Sequence, residues 1–237
     1  MFYRSTHALN IYDSPKGDRL ATQMAVGRYL VFAGKGSKPE LDAATAASPI
    51  ILVEDDYPGW LIDGDRQFLQ LGDRPQPNPL PTPPTIAQRL SGVIGFIRYA
   101  MNLPHQYLWG GALGPNYDCS GLIQTAFVSQ GIWLPRDAYQ QQNFVTPIAP
   151  SELQAGDLVF FGTPERITHV GLALNEYEYL HCSGKDYGHN GIARGDRRGG
   201  SRVDDFYAHS YQAAGRVTAA YQSQTLVAPG GGRAAKN

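Results

Sequence analysis

The stretch "YLWGGALGPNYDCSGLIQTAFVSQG", residues 107–131, passes from aromatic residues through glycines into a periodic apolar run, with one cysteine at the junction. Cys119, Leu122, Ile123, Ala126 and Phe127 stand at i, i+3, i+4, i+7 and i+8, one face of a helix that Gly131 ends. Asp118 is a good N-cap type, which puts Cys119 at the first helical position. Unpaired backbone N–H groups and the positive dipole end stabilise a thiolate there, so the spacing predicts a thiol pKa below the usual value of about 8.5. The same N–H groups suit an oxyanion on a substrate carbonyl. The preceding glycines let chain or ligand approach closely.

A thiolate needs a base that doubles as an acid, and a group that orients that base. Downstream, "DLVFFG" (157–162), "ITHVGLAL" (167–174) and "YEYLHCSG" (177–184) read as successive antiparallel strands, with His169 in the second and His181 in the third. A three-residue turn at Leu174, Asn175 and Glu176 sets His181 opposite His169, so both imidazoles share a face. A two-residue turn puts them on opposite faces, because a one-residue slip inverts a strand. The spacing alone leaves both registers open. Cys182 orients away from His181 and reads as packing. A metal site from Cys119, His169, His181 and Cys182 lacks the C-x-x-C or H-x-x-x-H spacing that would support it, and no metal or other cofactor is expected.

Upstream, Thr85 and Gln88 form a T-x-x-Q capping box, and Ile86, Leu90, Val93, Ile94 and Ile97 repeat at helical spacing until Pro104. Before this helix lies "RPQPNPLPTPP" (74–84), a proline-rich run of the kind that forms a semi-rigid spacer. Ahead of it, "ALNIYDSPKGD", "VGRYLVFAGKG" and "PIILVEDDYPGWLIDGD" are short apolar stretches closed by Gly, Pro or Asp, the mark of short strands in a small barrel. The organisation expected is an all-β unit at 1–72, a linker at 73–85, an α+β unit at 86–218 and a tail at 219–237.

The chain has 237 residues, 42% hydrophobic and 17% charged, with a formal net charge of −1. It is globular, and without a basic surplus or polybasic run it is expected to bind neither nucleic acid nor membrane. Its two cysteines, Cys119 and Cys182, are too few for a disulfide scaffold. No apolar run near the amino terminus suggests a signal peptide and none approaches a membrane span, so a soluble, cytoplasmic protein is expected.

"YLWGG…DCSGL", "THVGLAL" and "LHCSG", in that order, resemble the signature segments of the NlpC/P60 cysteine peptidases. The resemblance covers about residues 86–218. It implies a papain-like α+β fold with Cys119 as nucleophile, His169 as base and acid, and His181 as the polar residue that orients it. "LNIYDSP" and "PGWL" resemble a bacterial SH3-like (SH3b) barrel, packed on the catalytic domain of the same chain. The combination is similar to the γ-D-glutamyl-L-diamino acid endopeptidases of cell-wall peptide recycling, whose substrates are small murein peptides with a free N-terminal L-Ala. In that group the residues matching Asp118 and Ser120 help bind the free amino end, the one matching Tyr107 lines the same pocket, and an SH3b tyrosine, here Tyr57, walls it off. Ala138, in "LPRDAYQQ", stands where relatives often carry Ser, so a substrate hydrogen bond is missing or comes from elsewhere. A wall-remodelling hydrolase or an acyltransferase with the same Cys-His dyad is the alternative.

Overall fold

The computed structural model describes residues 1–33, 46–77, 80–186 and 188–227. The end of the "VGRYLVFAGKG" stretch, linker residues 78–79 and tail residues 228–237 lie outside the described residues.

The first unit is one antiparallel sheet. Its strands are β1 (Phe2–Ser5), β2 (Leu9–Tyr12), β3 (Leu20–Met24), β4 (Tyr29–Phe32), β5 (Ala47–Leu52), β6 (Pro58–Ile62) and β7 (Leu69–Gly72), in the order β3-β2-β6-β5-β4-β1-β7. The period-2 alternation of their sequences aims Leu9, Ile11, Met24, Leu30, Ile50 and Leu61 into one shared core.

Helix α1 (Pro83–Met101) opens the second unit two residues before the expected capping box. Thr82 is the N-cap and prolines fill the first two helical positions, where a missing N–H costs nothing. Thr85 therefore sits inside the first turn, and the T-x-x-Q box does not form. A short hairpin, β8 (Ala112–Leu113) and β9 (Asn116–Tyr117), leads into α2 (Cys119–Val128). That helix ends as its sequence implies. Gly131, at φ 71°, donates to Val128 O, and Ile132 N–H donates to Phe127 O, the paired bonds of a Schellman stop.

Next come α3 (Ala138–Phe144), β10 (Thr146–Ile148), β11 (Leu158–Thr163), β12 (Arg166–Ala173), β13 (Glu178–Ser183), β14 (Gly191–Asp196), α4 (Arg202–Ser210), β15 (Tyr211–Arg216) and α5 (Gln224–Val227). The strands form a second antiparallel sheet in the order β10-β15-β11-β12-β13-β14. Phe160, Val170, Leu172, Leu180 and Cys182 face α1 and α2, while Val159, Phe161, Ala173 and Tyr179 pack with Tyr207 of α4 on the other side. The arrangement is α+β, helices covering an antiparallel sheet. Among the described residues no helix is long and apolar enough to cross a membrane.

The two units are joined by buried and half-buried polar contacts. Gln23 Oε1 accepts from the backbone N–H of Ala112 and Leu113, both at 3.2 Å, and Thr22 Oγ1 accepts from Arg136 Nε at 2.7 Å. Gly110 lies where the two units pass close together. At φ 74° it occupies left-handed backbone, and a Cβ there would stand 2.7 Å from Leu20 O. What the glycine admits is chain, not ligand.

Candidate active site

Asp118 is the N-cap of α2, accepting from Gly121 N–H at 2.7 Å, and Cys119 follows as the first helical residue. Gly121 is required here, because a Cβ would collide with Gly111 O. Cys119 is 8% exposed and lines a cavity of about 500 Å³. Backbone N–H groups of Val170 and Ser120 reach its sulfur and pull its pKa down. Burial and the neighbouring Asp118 carboxylate outweigh them and push the thiol up to about 12. The depressed value expected from the helix start is thus overturned by desolvation.

His169 lines an adjoining cavity of about 550 Å³, which shares Tyr107, Trp109 and Thr168 with the first. The two histidines meet directly, with His169 Nε2 and His181 Nδ1 2.9 Å apart. The register that brings them together differs from both sequence alternatives. Leu172 pairs with Leu180 and Ala173 with Tyr179, so His181 lies across from Gly171 and not from His169. The shift from the expected pairing is two residues, an even number, and parity keeps both rings on one face. Asn175 builds the longer turn, its Oδ1 accepting from Tyr177 and Glu178 N–H at 2.9 Å each.

Burial lowers the His169 pKa to about 3 and holds His181 well below its ordinary value, with His169 and His189 adding to the shift at His181. Thiol and imidazoles are therefore neutral at rest. Tyr207, a residue the sequence reading did not single out, stacks on His169 at 4.5 Å and 28°. Its only sequence signal is its place one turn after Val203 on the apolar side of a short polar helix. Cys182 donates to Tyr117 O at 3.1 Å on the opposite sheet face, away from the histidines. No cluster of three or more metal-ligating side chains occurs among the described residues.

Asp118 is occupied. Arg136, 1% exposed, grips it with Nη1 to Oδ1 at 3.0 Å and Nη2 to Oδ2 at 2.7 Å. Gly110 N–H donates to Oδ2 at 2.9 Å, and Ser120 Oγ stands 3.3 Å from Oδ1 while also accepting from Arg136 Nη1. Asp118 and Ser120 build the wall, with their polar atoms turned into it. Besides Asp13 and Asp118, the cavity is lined by a third carboxylate, that of Asp137, the half-buried N-cap of α3. Tyr57 donates to its Oδ1 at 3.3 Å from the first unit. Burial raises the Asp137 pKa above the usual aspartate value although Arg136 next door opposes this. Ala138 lines the cavity beside it without a hydroxyl. Trp109, more than half exposed, forms a rim over which Arg19 sits at 4.8 Å. Tyr107 stands in the shared wall, its phenol pKa raised by burial and by Cys119.

The stretch that carries Tyr107, Cys119, Asp137, His169 and His181, residues 104–196, matches the NlpC/P60 family. These residues are an NlpC/P60 domain. Three curated relatives show how varied its settings are. The bifunctional muramidase/DL-endopeptidase CwlT of Bacillus subtilis is 47% identical over 70 residues, 28% of this chain and 21% of its own. The gamma-D-glutamyl-L-lysine dipeptidyl-peptidase of Bacillus cereus is 28% identical over 134 residues, 55% of this chain and 37% of its own. The murein DD-endopeptidase MepS/murein LD-carboxypeptidase of Escherichia coli is 37% identical over 79 residues, 33% of this chain and 42% of its own. The chain thus spans less than half the length of each. Their names cover several different bonds, so NlpC/P60 membership does not by itself select one. Tyr57 and Tyr207 lie outside the NlpC/P60 match.

Proposed function

We propose that the chain is a cysteine endopeptidase that hydrolyses the γ-D-glutamyl–diamino acid bond of murein peptides with a free N-terminal L-Ala. The observation that carries this reading is the Tyr57–Asp137 contact, which sets a half-buried carboxylate against an aromatic wall at one side of the Cys119 cavity. A desolvated carboxylate gains most from a cation, and the ammonium of an amino-terminal residue is one. Tyr57 then stops any chain that continues past that residue. The NlpC/P60 domain is read as papain-like, and the seven-stranded sheet as an SH3b unit recruited to shape the amino-end pocket.

In this mechanism the neutral His169 removes the Cys119 proton as sulfur attacks the γ-glutamyl carbonyl. First-turn N–H groups of α2 stabilise the oxyanion. The resulting imidazolium passes its proton to the departing diamino acid amine, and water activated by His169 then releases the acyl group from sulfur. His181 accepts from His169 Nε2–H and fixes the ring. No step draws on a metal.

The test is product analysis by mass spectrometry with L-Ala-γ-D-Glu-diaminopimelate, its N-acetylated form and intact sacculi. Cleavage of the free peptide alone supports the reading, and with it a cytoplasmic role in peptide recycling. Digestion of sacculi would make the chain a wall-remodelling enzyme, and an acyl group handed to an added amine would make it a transferase.

A further inference from the structure

The turn between β5 and β6 places three consecutive residues against three separate parts of the second unit. Asp55, its side chain buried, accepts from Gln124 Nε2 of α2 at 2.9 Å while Arg28 Nη2 of its own unit holds the other oxygen at 2.8 Å. Tyr57 reaches Asp137 at the start of α3. Between them Asp56 adopts φ 54°, left-handed backbone that aspartate tolerates better than most residues but that still carries strain. Its carboxylate takes five donors, all from one short C-terminal segment. They are Tyr221 Oη at 3.1 Å, Ser223 Oγ at 2.8 Å, Gln224 N–H at 2.6 Å, Thr225 N–H at 3.1 Å and Thr225 Oγ1 at 2.6 Å. Residues 219–227, expected as part of a tail, therefore run back onto the first unit and close on the residue next to Tyr57.

We propose that residues 221–225 are a clasp that acts through Asp56 to hold Tyr57 on Asp137, making the C-terminal segment a determinant of which amino ends the cavity admits. The proposal rests on the reading that Tyr57 bounds the amino end of the substrate. Asp56, Ser223 and Thr225 are positioning residues, since none of them lines the cavity. Without the clasp the turn would keep its Asp55 bonds to Gln124 and Arg28, but the strained Asp56 between Asp55 and Tyr57 would have no anchor of its own, leaving the Tyr57 ring freer to swing. Five charge-assisted bonds remove that freedom.

The experiment uses the full chain with Asp56→Ala and, because that change leaves strained backbone without its anchor, the milder Ser223→Ala/Thr225→Val pair. Hydrogen exchange is read over residues 52–58 and over α2, and kcat and KM are measured for free and N-acetylated L-Ala-γ-D-Glu-diaminopimelate. The clasp predicts that exchange in 52–58 speeds about tenfold while α2 is unchanged, and that the free-to-blocked ratio of kcat/KM narrows about tenfold through KM. Unchanged exchange in 52–58, or a uniform rise that includes α2, overturns the clasp. So does a ratio that narrows in Tyr57→Ala but not in the clasp variants. If exchange rises locally yet neither the clasp variants nor Tyr57→Ala alters the ratio, the clasp stands as a structural device and the amino-end reading of Tyr57 is the part overturned.

Discussion

At Cys119 two effects of opposite sign meet, and their sizes decide the resting state. A helix start favours the thiolate by an amount that fades within a turn. Burial favours the thiol, and with the Asp118 carboxylate alongside it wins, lifting the pKa to about 12. Iodoacetamide labelling of Cys119 should therefore climb about tenfold per pH unit from neutral into alkaline pH, since only the thiolate reacts. Cys182, fully enclosed and bonded to Tyr117 O, should label far more slowly at every pH. A labelling rate already flat at neutral pH would mean a thiolate–imidazolium pair at rest. The N-cap role of Asp118 was legible because capping is local. Its partner was not, because nothing in the spacing says that a buried arginine eighteen residues on will turn toward it. Asp118→Asn keeps an acceptor for the cap but leaves Arg136 buried without its counter-charge, a loss on the order of 3 kcal/mol. Urea unfolding should record that loss, with free and N-acetylated peptides slowed alike. Selective slowing of the free peptide would return Asp118 to the ammonium site.

At the level of elements, the strands bearing the histidines could be read from their alternation, while the register could not. Turn length is set by a side chain, Asn175, that bonds to the backbone two and three residues on. The conclusion survived because face depends on parity and the turn is longer by an even step. The same burial that fixes the pair makes it sensitive to acid. In the unfolded chain each histidine takes a proton near 6.5, whereas folded His169 does so only near 3 and His181 well below 6.5. The unfolded state thus binds more protons below that value, so stability is intact above 6.5 and declines as pH falls toward 3. Each histidine contributes about 1.4 kcal/mol per pH unit inside the window. Urea unfolding free energies at pH 7.5 and 5.5 should differ accordingly, and His181→Ala should reduce the difference by the share of one proton. In the same variant kcat should drop with little change in KM, since the lost contact orients the base and binds no substrate. The acid limb of the wild-type rate should lie well below 6.5. A midpoint at 6.5 would show that the histidines titrate as if exposed.

Over the whole molecule, the proline-rich run announced that there are two units, but not that the site lies between them. Contacts such as Gln23 on the β8 strand, Thr22 on Arg136 and Tyr57 on Asp137 join residues 80 to 114 positions apart, and no local pattern encodes them. Tyr57 entered through a resemblance, and Asp137 carried only the D-x-x-Q capping-box signal it makes with Gln140, which speaks of a helix start and not of a site. On the proposed function, Asp137 is the residue on which discrimination by charge depends. Its carboxylate is partly desolvated and its pKa raised, so an arriving ammonium restores a favourable environment instead of competing with water for one. A hydrogen bond between charged groups of this kind is worth about 1.5–3 kcal/mol, or roughly ten- to a hundred-fold in rate. Asp137→Asn should lower kcat/KM for L-Ala-γ-D-Glu-diaminopimelate by that factor and leave the slow N-acetylated peptide untouched. The substrate supplies an independent check through its own titration. An α-amino group loses its proton near pH 8, so wild-type kcat/KM for the free peptide should fall above that value as the charge disappears. In Asp137→Asn the charge no longer matters at that position and the alkaline fall should vanish, while the acid limb set by the histidines stays where it was. An alkaline limb that persists unchanged in Asp137→Asn would mean that the ammonium is bound elsewhere in the cavity.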